Sequence, residues 1–167
     1  MQILPVNEVT PEALLAYFHA LVELDDKRVE RPEDVAKLSL ADEQRWINTL
    51  TQRTVNQEGV SFCIKINNDV IGLGEVERKP RWIERHTAEI RFGILPGYKH
   101  EGKLLVRELV AAAKNINITT LYYFHLQSQT QGIEIITESN FTYAGKLRNY
   151  YKQGAQYLDR VFFERLL

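Results

Sequence analysis

Apolar residues recur three and four positions apart at Leu14, Leu15, Phe18, Leu21 and Val22, the spacing of a helix with one buried face. Thr10-Pro11-Glu12 opens that helix with a hydroxyl cap, a proline where no N–H is needed, and a carboxylate at the positive end of the dipole. The pattern dissolves in Asp25-Asp26-Lys27-Arg28. Val29 to Ser39 is charged and contains Pro32, so it reads as a surface loop or a short helix. A second helix is predicted from near Leu40, with Trp46, Ile47 and Leu50 turned inward and Asp42, Glu43 and Arg45 left in water.

Beyond it the period changes from helical to alternating, as in strands with one covered face. Val60 to Ile66 is ended by Asn67-Asn68-Asp69, a turn cluster that pairs it in a hairpin with Val70 to Glu77. A turn around Pro80 leads to the strand Thr87 to Leu95, stopped by Pro96-Gly97. After Gly102, the residues Leu104, Leu105, Leu109, Val110 and Ala113 mark a helix ending near Asn115, and a strand returns at Leu121 to Leu126. Strand, right-handed helical crossover and strand make this part of the sheet parallel. Those two strands are expected to splay apart at their C-terminal ends. Gln131 to Ser139 reads as a short helix with Ile133 and Ile136 inward; the strands Thr142 to Tyr150 and Gln156 to Leu166 follow, joined by a turn at Gln153-Gly154. The result is one α/β (α+β) domain over residues 1–167, with a mixed six- to seven-stranded sheet flanked by helices on both faces.

Length and charge narrow the function classes. A chain of 167 residues suits a single core. With 21 basic and 22 acidic residues it has no overall field to hold nucleic acid or an anionic membrane, so partners must be read from local sites. No apolar run approaches the roughly 20 residues of a membrane-spanning helix, and the first nine residues do not resemble an export signal. Cys63 is the only cysteine and lies in an apolar strand, which fits a buried thiol and a reducing cytoplasm. His19, His86, His100 and His125 have no metal-ligand spacing among themselves or with Cys63, so no metal is assigned. His125, at the end of the parallel strand, reads either as a core histidine or as a catalytic one.

Chemistry concentrates at the turn after Leu95. A strand, a loop and a helix start together present unpaired backbone N–H groups and a positive dipole end, which suits a phosphate, and Lys99, His100 and Lys103 add positive charge. In this order of elements, Ile94-x-Pro96-x-Tyr98-Lys99-x-x-Gly102 resembles the motif of the GNAT superfamily of N-acetyltransferases, where such a loop cradles the pyrophosphate of acetyl-CoA. Lys99 takes the place of the family's Arg or Gln, Gly102 is its first glycine, and Leu104 replaces the second. Gln129 to Phe141 matches the spacing of a second family segment. There Gln129 replaces an asparagine, Gly132 an alanine, Ile136 the tyrosine that often protonates the leaving thiolate, and Asn140 a glycine, while Phe141 is kept. Tyr151 to Asp159 resembles the family's tail. The resemblance implies that Phe92, Ile94, Lys99, His100, Glu101, Gly102, Lys103, Leu104 and Gln129 bind acetyl-CoA.

Attack of an amine on a thioester needs the amine neutral, hence a proton acceptor. Glu75 and Glu89 are the candidates. If the turn between their strands is centred on Trp82, they face each other, and the proton affinity of one rises. The alternative is an irregular turn with a different register, in which they pair with Arg91 and Arg78. Glu89 matches a family position often occupied by an acid and ranks first; Tyr143 is the substitute proton donor to test. The implied function is transfer of acetyl from acetyl-CoA to a primary amine of a small molecule, a protein N-terminus or a lysine, by direct attack. A module that binds CoA or a protein without catalysis is the alternative, and a homodimer is compatible with both. Asp25, Asp26, Glu30, Glu33, Asp34 and Glu84 lie in the segments expected to meet the acceptor; they read as solvated positions or as a lure for a cationic amine.

Overall fold

The two periods resolve into five helices and seven strands. In the computed structural model, which describes residues 1–167, the helices are α1 (Pro11–Leu24), α2 (Pro32–Val35), α3 (Leu40–Val55), α4 (Lys99–Asn115) and α5 (Thr130–Glu138). The strands are β1 (Gln2–Pro5), β2 (Gly59–Ile66), β3 (Asp69–Arg78), β4 (Thr87–Ile94), β5 (Thr120–Leu126), β6 (Thr142–Gln153) and β7 (Gln156–Leu166). They form one sheet in the order β1-β2-β3-β4-β5-β7-β6. Every neighbouring pair is antiparallel except β4 and β5.

Local chemistry fixes the boundaries. Thr10 Oγ1 accepts from the Ala13 N–H at 3.3 Å, and Ser39 and Asp42 form a reciprocal capping box at the start of α3. Asn67 adopts φ +56° in the β2–β3 turn, and Asn140 adopts φ +62° after α5, where a short polar side chain tolerates the left-handed conformation.

Side chains alternate across the sheet. On one face Val76, Ile90, Phe92, Ile94, Leu121 and Tyr123 join Leu105, Val106, Leu109 and Ala113 of α4 and Ile135 and Ile136 of α5 in the larger core. On the other, Cys63 and Leu73 pack with Leu14, Tyr17 and Leu21 of α1 and Ile47 and Leu50 of α3. Gly74 marks how close α4 lies: a Cβ there would stand 2.6 Å from Leu109 Cδ1. No helix is long and apolar enough to cross a membrane.

Four sequence expectations change. β1 is an additional strand paired with β2, and its four residues are too few to show alternation. Helix α4 begins at Lys99 rather than after Gly102, so Gly102 belongs to its first turns. There a Cβ would meet Ile135 Cδ1 at 2.6 Å, and the glycine lets α4 and α5 touch. In α5 it is Ile135 that is fully buried with Ile136, while Ile133 is half-buried. Glu43 is only 2% exposed, not in water. It lies one and two turns before Ile47 and Leu50, so the helical spacing carries it inward despite its charge.

Candidate active site

β4 and β5 are paired at only three positions, Thr87↔Thr120, Ala88↔Leu121 and Glu89↔Tyr122. Beyond these the strands diverge, as expected, and the gap becomes a narrow channel, with a free volume of only about 10 Å³, walled by Phe92, Gly93, Ile94, Tyr123 and His125, with Gln129 and Gly132 of α5 and its N-cap at one side. The channel adjoins a cavity of about 620 Å³ under α1 and α3. Arg28, Phe92, Gly93, Tyr123 and His125 line both, so the two spaces share a wall. Gly93 is needed here because a Cβ would come within 2.5 Å of the Tyr17 hydroxyl.

The residues assigned to the phosphate end gather at the start of α4. Its N-cap, Tyr98, makes no side-chain capping bond, so the first-turn N–H groups of Lys99, His100 and Glu101 are left for another acceptor. The lysines do not add free charge. Lys99 Nζ lies 2.8 Å from Glu134 and 2.5 Å from Glu138, and Lys103 Nζ lies 3.0 Å from Glu138, so α5 neutralises them. Leu104 is half-buried and His100 exposed. Gln129 is buried and donates to Asp25 Oδ2 at 2.5 Å and to the Lys27 carbonyl at 3.1 Å, tying α5 to the loop after α1. Gln131 reaches across the gap, donating to the Ile94 and Leu95 carbonyls at 3.4 and 3.3 Å and accepting from Gly97 N–H at 3.2 Å. It meets polar groups of the β4 end that β5 has left behind.

Glu75 and Glu89 do not face each other across the two strands. Glu75 stands opposite Arg91 and Glu77 opposite Glu89. The connection is irregular, with a 3-10 turn at Trp82–Glu84, and its centre falls on Ile83 instead of Trp82. A one-residue shift of centre displaces the register by two, so all four side chains keep the same face. Arg91 bridges the group: its Nη2 is 3.2 Å from Glu75 and 2.5 Å from Glu77, and its Nε is 3.7 Å from Glu89. Arg53 adds contacts of 3.3 Å to Glu75 and 3.2 Å to Glu77. Glu89 is held by Lys79 at 3.3 Å and does not line the cavity. Glu75 does line it. Its burial raises the carboxyl pKa, outweighing the opposing pull of Arg91 and Arg53.

Tyr143 is far from this role: it is exposed on β6, with its ring edge against Phe163 and outside both spaces. The buried hydroxyl in the shared wall is that of Tyr123. Its oxygen has no hydrogen-bond partner, and burial holds the phenol protonated well above its ordinary range. Gly132 makes room for it, since a Cβ there would lie 2.7 Å from that oxygen. Ile136, at the place of the family tyrosine, is fully buried. The signal that could have found Tyr123 is the pairing of an inward tyrosine on β5 with a glycine where the family has alanine. His125 lies in the same wall, with Nδ1 accepting from Leu126 N–H at 2.8 Å; burial, helped by Arg28, pushes its pKa down to about 4, so the ring stays neutral. Cys63 is buried, and its thiol is pushed up to about 12 by that burial. Of the six acids expected near the acceptor, Glu30 lines the cavity and Asp25 the channel; Asp26, Glu33, Asp34 and Glu84 line neither.

A mixed sheet opened between two parallel strands thus has an uncapped helix start on one side of the gap and a cavity holding a buried carboxylate on the other. The chain belongs to the acetyltransferase (GNAT) family, whose model matches residues 19–133, more than half of its length. The same fold occurs in a ribosomal-protein-alanine N-acetyltransferase from Brucella melitensis, at 19% identity and TM-score 0.80 over 100% of both chains. It also occurs in a GNAT acetyltransferase from Streptococcus pneumoniae, at 14% identity and TM-score 0.84 over 99% of this chain and 98% of that one. A phosphinothricin acetyltransferase from Sinorhizobium meliloti in complex with AcCoA matches at 17% identity and TM-score 0.78, over 99% of this chain and 88% of that one. No curated protein matches the chain by sequence.

Proposed function

We propose that this chain transfers the acetyl group of acetyl-CoA to a primary amine by direct attack, without an acyl-enzyme. The observation that supports this most is the wall shared by channel and cavity. A thioester entering from the side of α4 and α5 would there meet an amine held under α1 and α3. The Sinorhizobium meliloti protein of the same fold holds AcCoA, and the residues here suit that molecule. The first turn of α4 offers the N–H groups of Lys99, His100 and Glu101 for a pyrophosphate, with Gly102, Lys103 and Leu104 on the turn beside them. Phe92, Ile94 and Gln129 line the route to the cavity.

Glu75 accepts the proton of the substrate ammonium, which frees the nitrogen lone pair to form the new C–N bond; as the C–S bond breaks, the second proton that the nitrogen then sheds goes to the departing sulfur, which leaves as the thiol. The raised proton affinity of Glu75 suits its task. Glu89 acts at one remove, by holding Arg91 beside Glu75. The Tyr123 hydroxyl, which has no other partner, donates to the departing sulfur in place of the hydroxyl that Ile136 lacks. Cys63, buried and held as a thiol, takes no part.

Two measurements test this reading. Acetyl-CoA should raise the melting temperature, and free thiol should be released in the presence of primary amines. Tyr123→Phe should lower kcat about tenfold or more, the order expected for a lost hydrogen bond to a charged group. Binding without thiol release from any amine would make the chain a CoA-binding module instead.

A further inference from the structure

The acids expected near the acceptor read as solvated positions or as a lure for a cationic amine, but the charged side chains that line the cavity itself are mainly cations. Four arginines line it: Arg28, Arg53, Arg91 and Arg160. Three of them are occupied by carboxylates. Arg28 lies 3.3 Å from Glu30 and 3.9 Å from Asp25, while Arg53 and Arg91 share Glu75 and Glu77. The two carboxylates in the lining, Glu30 and Glu75, are therefore both already paired.

Arg160 differs. No carboxylate stands within salt-bridge distance, and its Nε is buried with no hydrogen-bond partner. What holds it is aromatic. The guanidinium lies 3.4 Å from the centroid of the Phe124 ring and 4.7 Å from that of Tyr150, and Nη1 donates to the Tyr150 hydroxyl at 2.8 Å. Stacking fixes the plane of the fork and spares its charge. His125 adds no competing cation, because it is held neutral by burial and by Arg28 and Arg160. Beside these polar groups the cavity has an apolar wall, with Phe18 and Trp46 stacked at 5.6 Å.

We propose that the acceptor is a primary amine that also carries an oxyanion, a carboxylate or a phosphonate, and that Arg160 binds this group while the amine lies toward Glu75. Nη1 is taken by Tyr150 and Nε is buried, so it is Nη2, which makes no hydrogen bond within the protein, that can donate to an oxyanion, while a polyamine meets only repulsion from the charge. Glu75 alone could receive any amine; Arg160 selects among them. The inference rests on the acetyl-transfer reading for its chemistry, but not for its binding step.

The test compares matched amines: amino carboxylates, amino phosphonates, the corresponding carboxamides with the charge removed, and linear polyamines. Thiol release with acetyl-CoA should give kcat/KM at least tenfold higher for one or both oxyanion arms than for the carboxamides, and whichever arm is higher identifies the group. Arg160→Gln should raise KM for the preferred amine about tenfold and abolish the discrimination, and Arg160→Lys should restore part of it. Equal rates for acid and carboxamide, or best turnover of polyamines, would overturn the proposal and leave acetyl transfer intact. A second measurement is independent of turnover. Without acetyl-CoA, the amino carboxylate or amino phosphonate should raise the melting temperature of the wild type and fail to do so for Arg160→Gln. No shift with either amine would overturn the proposal even if no amine in the panel is acetylated, an outcome that by itself would count against the acetyl-transfer reading.

Discussion

Strands β3 and β4 carry two different chemistries back to back. Toward α4 they present Gly74, Val76, Ile90, Phe92 and Ile94, a surface without charge. Toward α1 and α3 they present Glu75, Glu77, Glu89 and Arg91, bound to one another and to Arg53 and Lys79. Burial hardly separates the two: Val76 and Glu75 are neighbours in sequence and both are buried. What differs is the consequence of burial. An apolar side chain removed from water stabilises the fold, whereas a carboxylate removed from water gains proton affinity.

The largest effect should come from the apolar face. Leu109→Ala, deep under α4, should cost about 2–5 kcal/mol of stability, read as a lower midpoint in denaturant. Activity per folded molecule should be kept, and a selective loss of activity would break the division. On the charged face the reverse is expected. Glu75→Gln should lower kcat/KM about 10²-fold, within the usual range for a general base, with little change in melting temperature. The loss should shrink as pH rises, because more of the amine is then already neutral. Full activity of this variant at neutral pH would remove Glu75 as the base.

The smallest effect concerns a carboxylate with no cation beside it. Glu43 is buried on α3, one of its oxygens has no partner, and burial pushes its pKa up to about 6. The folded protein therefore binds its proton more tightly than the unfolded chain. The resulting stability is fully present below the ordinary glutamate value and declines as pH rises through about 6. Glu43→Gln should stabilise the protein at pH 7.5 by about 1 kcal/mol, because the neutral amide has no charge to desolvate while its polar group still lies buried. It should also flatten the melting temperature between pH 4.5 and 6. If the variant instead melts lower at pH 7.5, the ionised carboxylate has a partner that burial alone does not reveal.

Much of the fold was legible because periods survive folding. The helical spacing of α1 and α4 and the alternation of β2 and β3 are set by which side meets water, and both appear in the sequence as they do in space. The parallel pairing of β4 and β5 followed from the order of elements, and the gap between them from the acetyltransferase resemblance. What could not be read depended on distances across the chain. The register of β3 and β4 turned on a 3-10 turn at Trp82–Glu84 that no local pattern announces, so Glu75 was placed opposite Glu89 instead of Arg91. Tyr123 reads as sheet packing until Gly132 is seen against its hydroxyl. Arg28, Arg53, Arg91 and Arg160 are spread over most of the chain, and only the fold gathers them. Glu43 departs from the expectation for another reason: its helical spacing, in step with Ile47 and Leu50, outweighs its charge.

The three rungs that join β4 to β5 also divide the molecule as a mechanical object. Everything from β1 to β4 is a meander of consecutive antiparallel strands, and β5, β7 and β6 form a second leaf closed by the C-terminal hairpin. The leaves are riveted at one end of the seam, spanned by α4, and latched toward the other by Gln131 and by the stacking of Phe92 on Tyr123. Such a joint has the outline of half-open shears. A slender molecule with amide groups, laid between the blades, would serve as the missing strand and lock two leaves into one rigid plate.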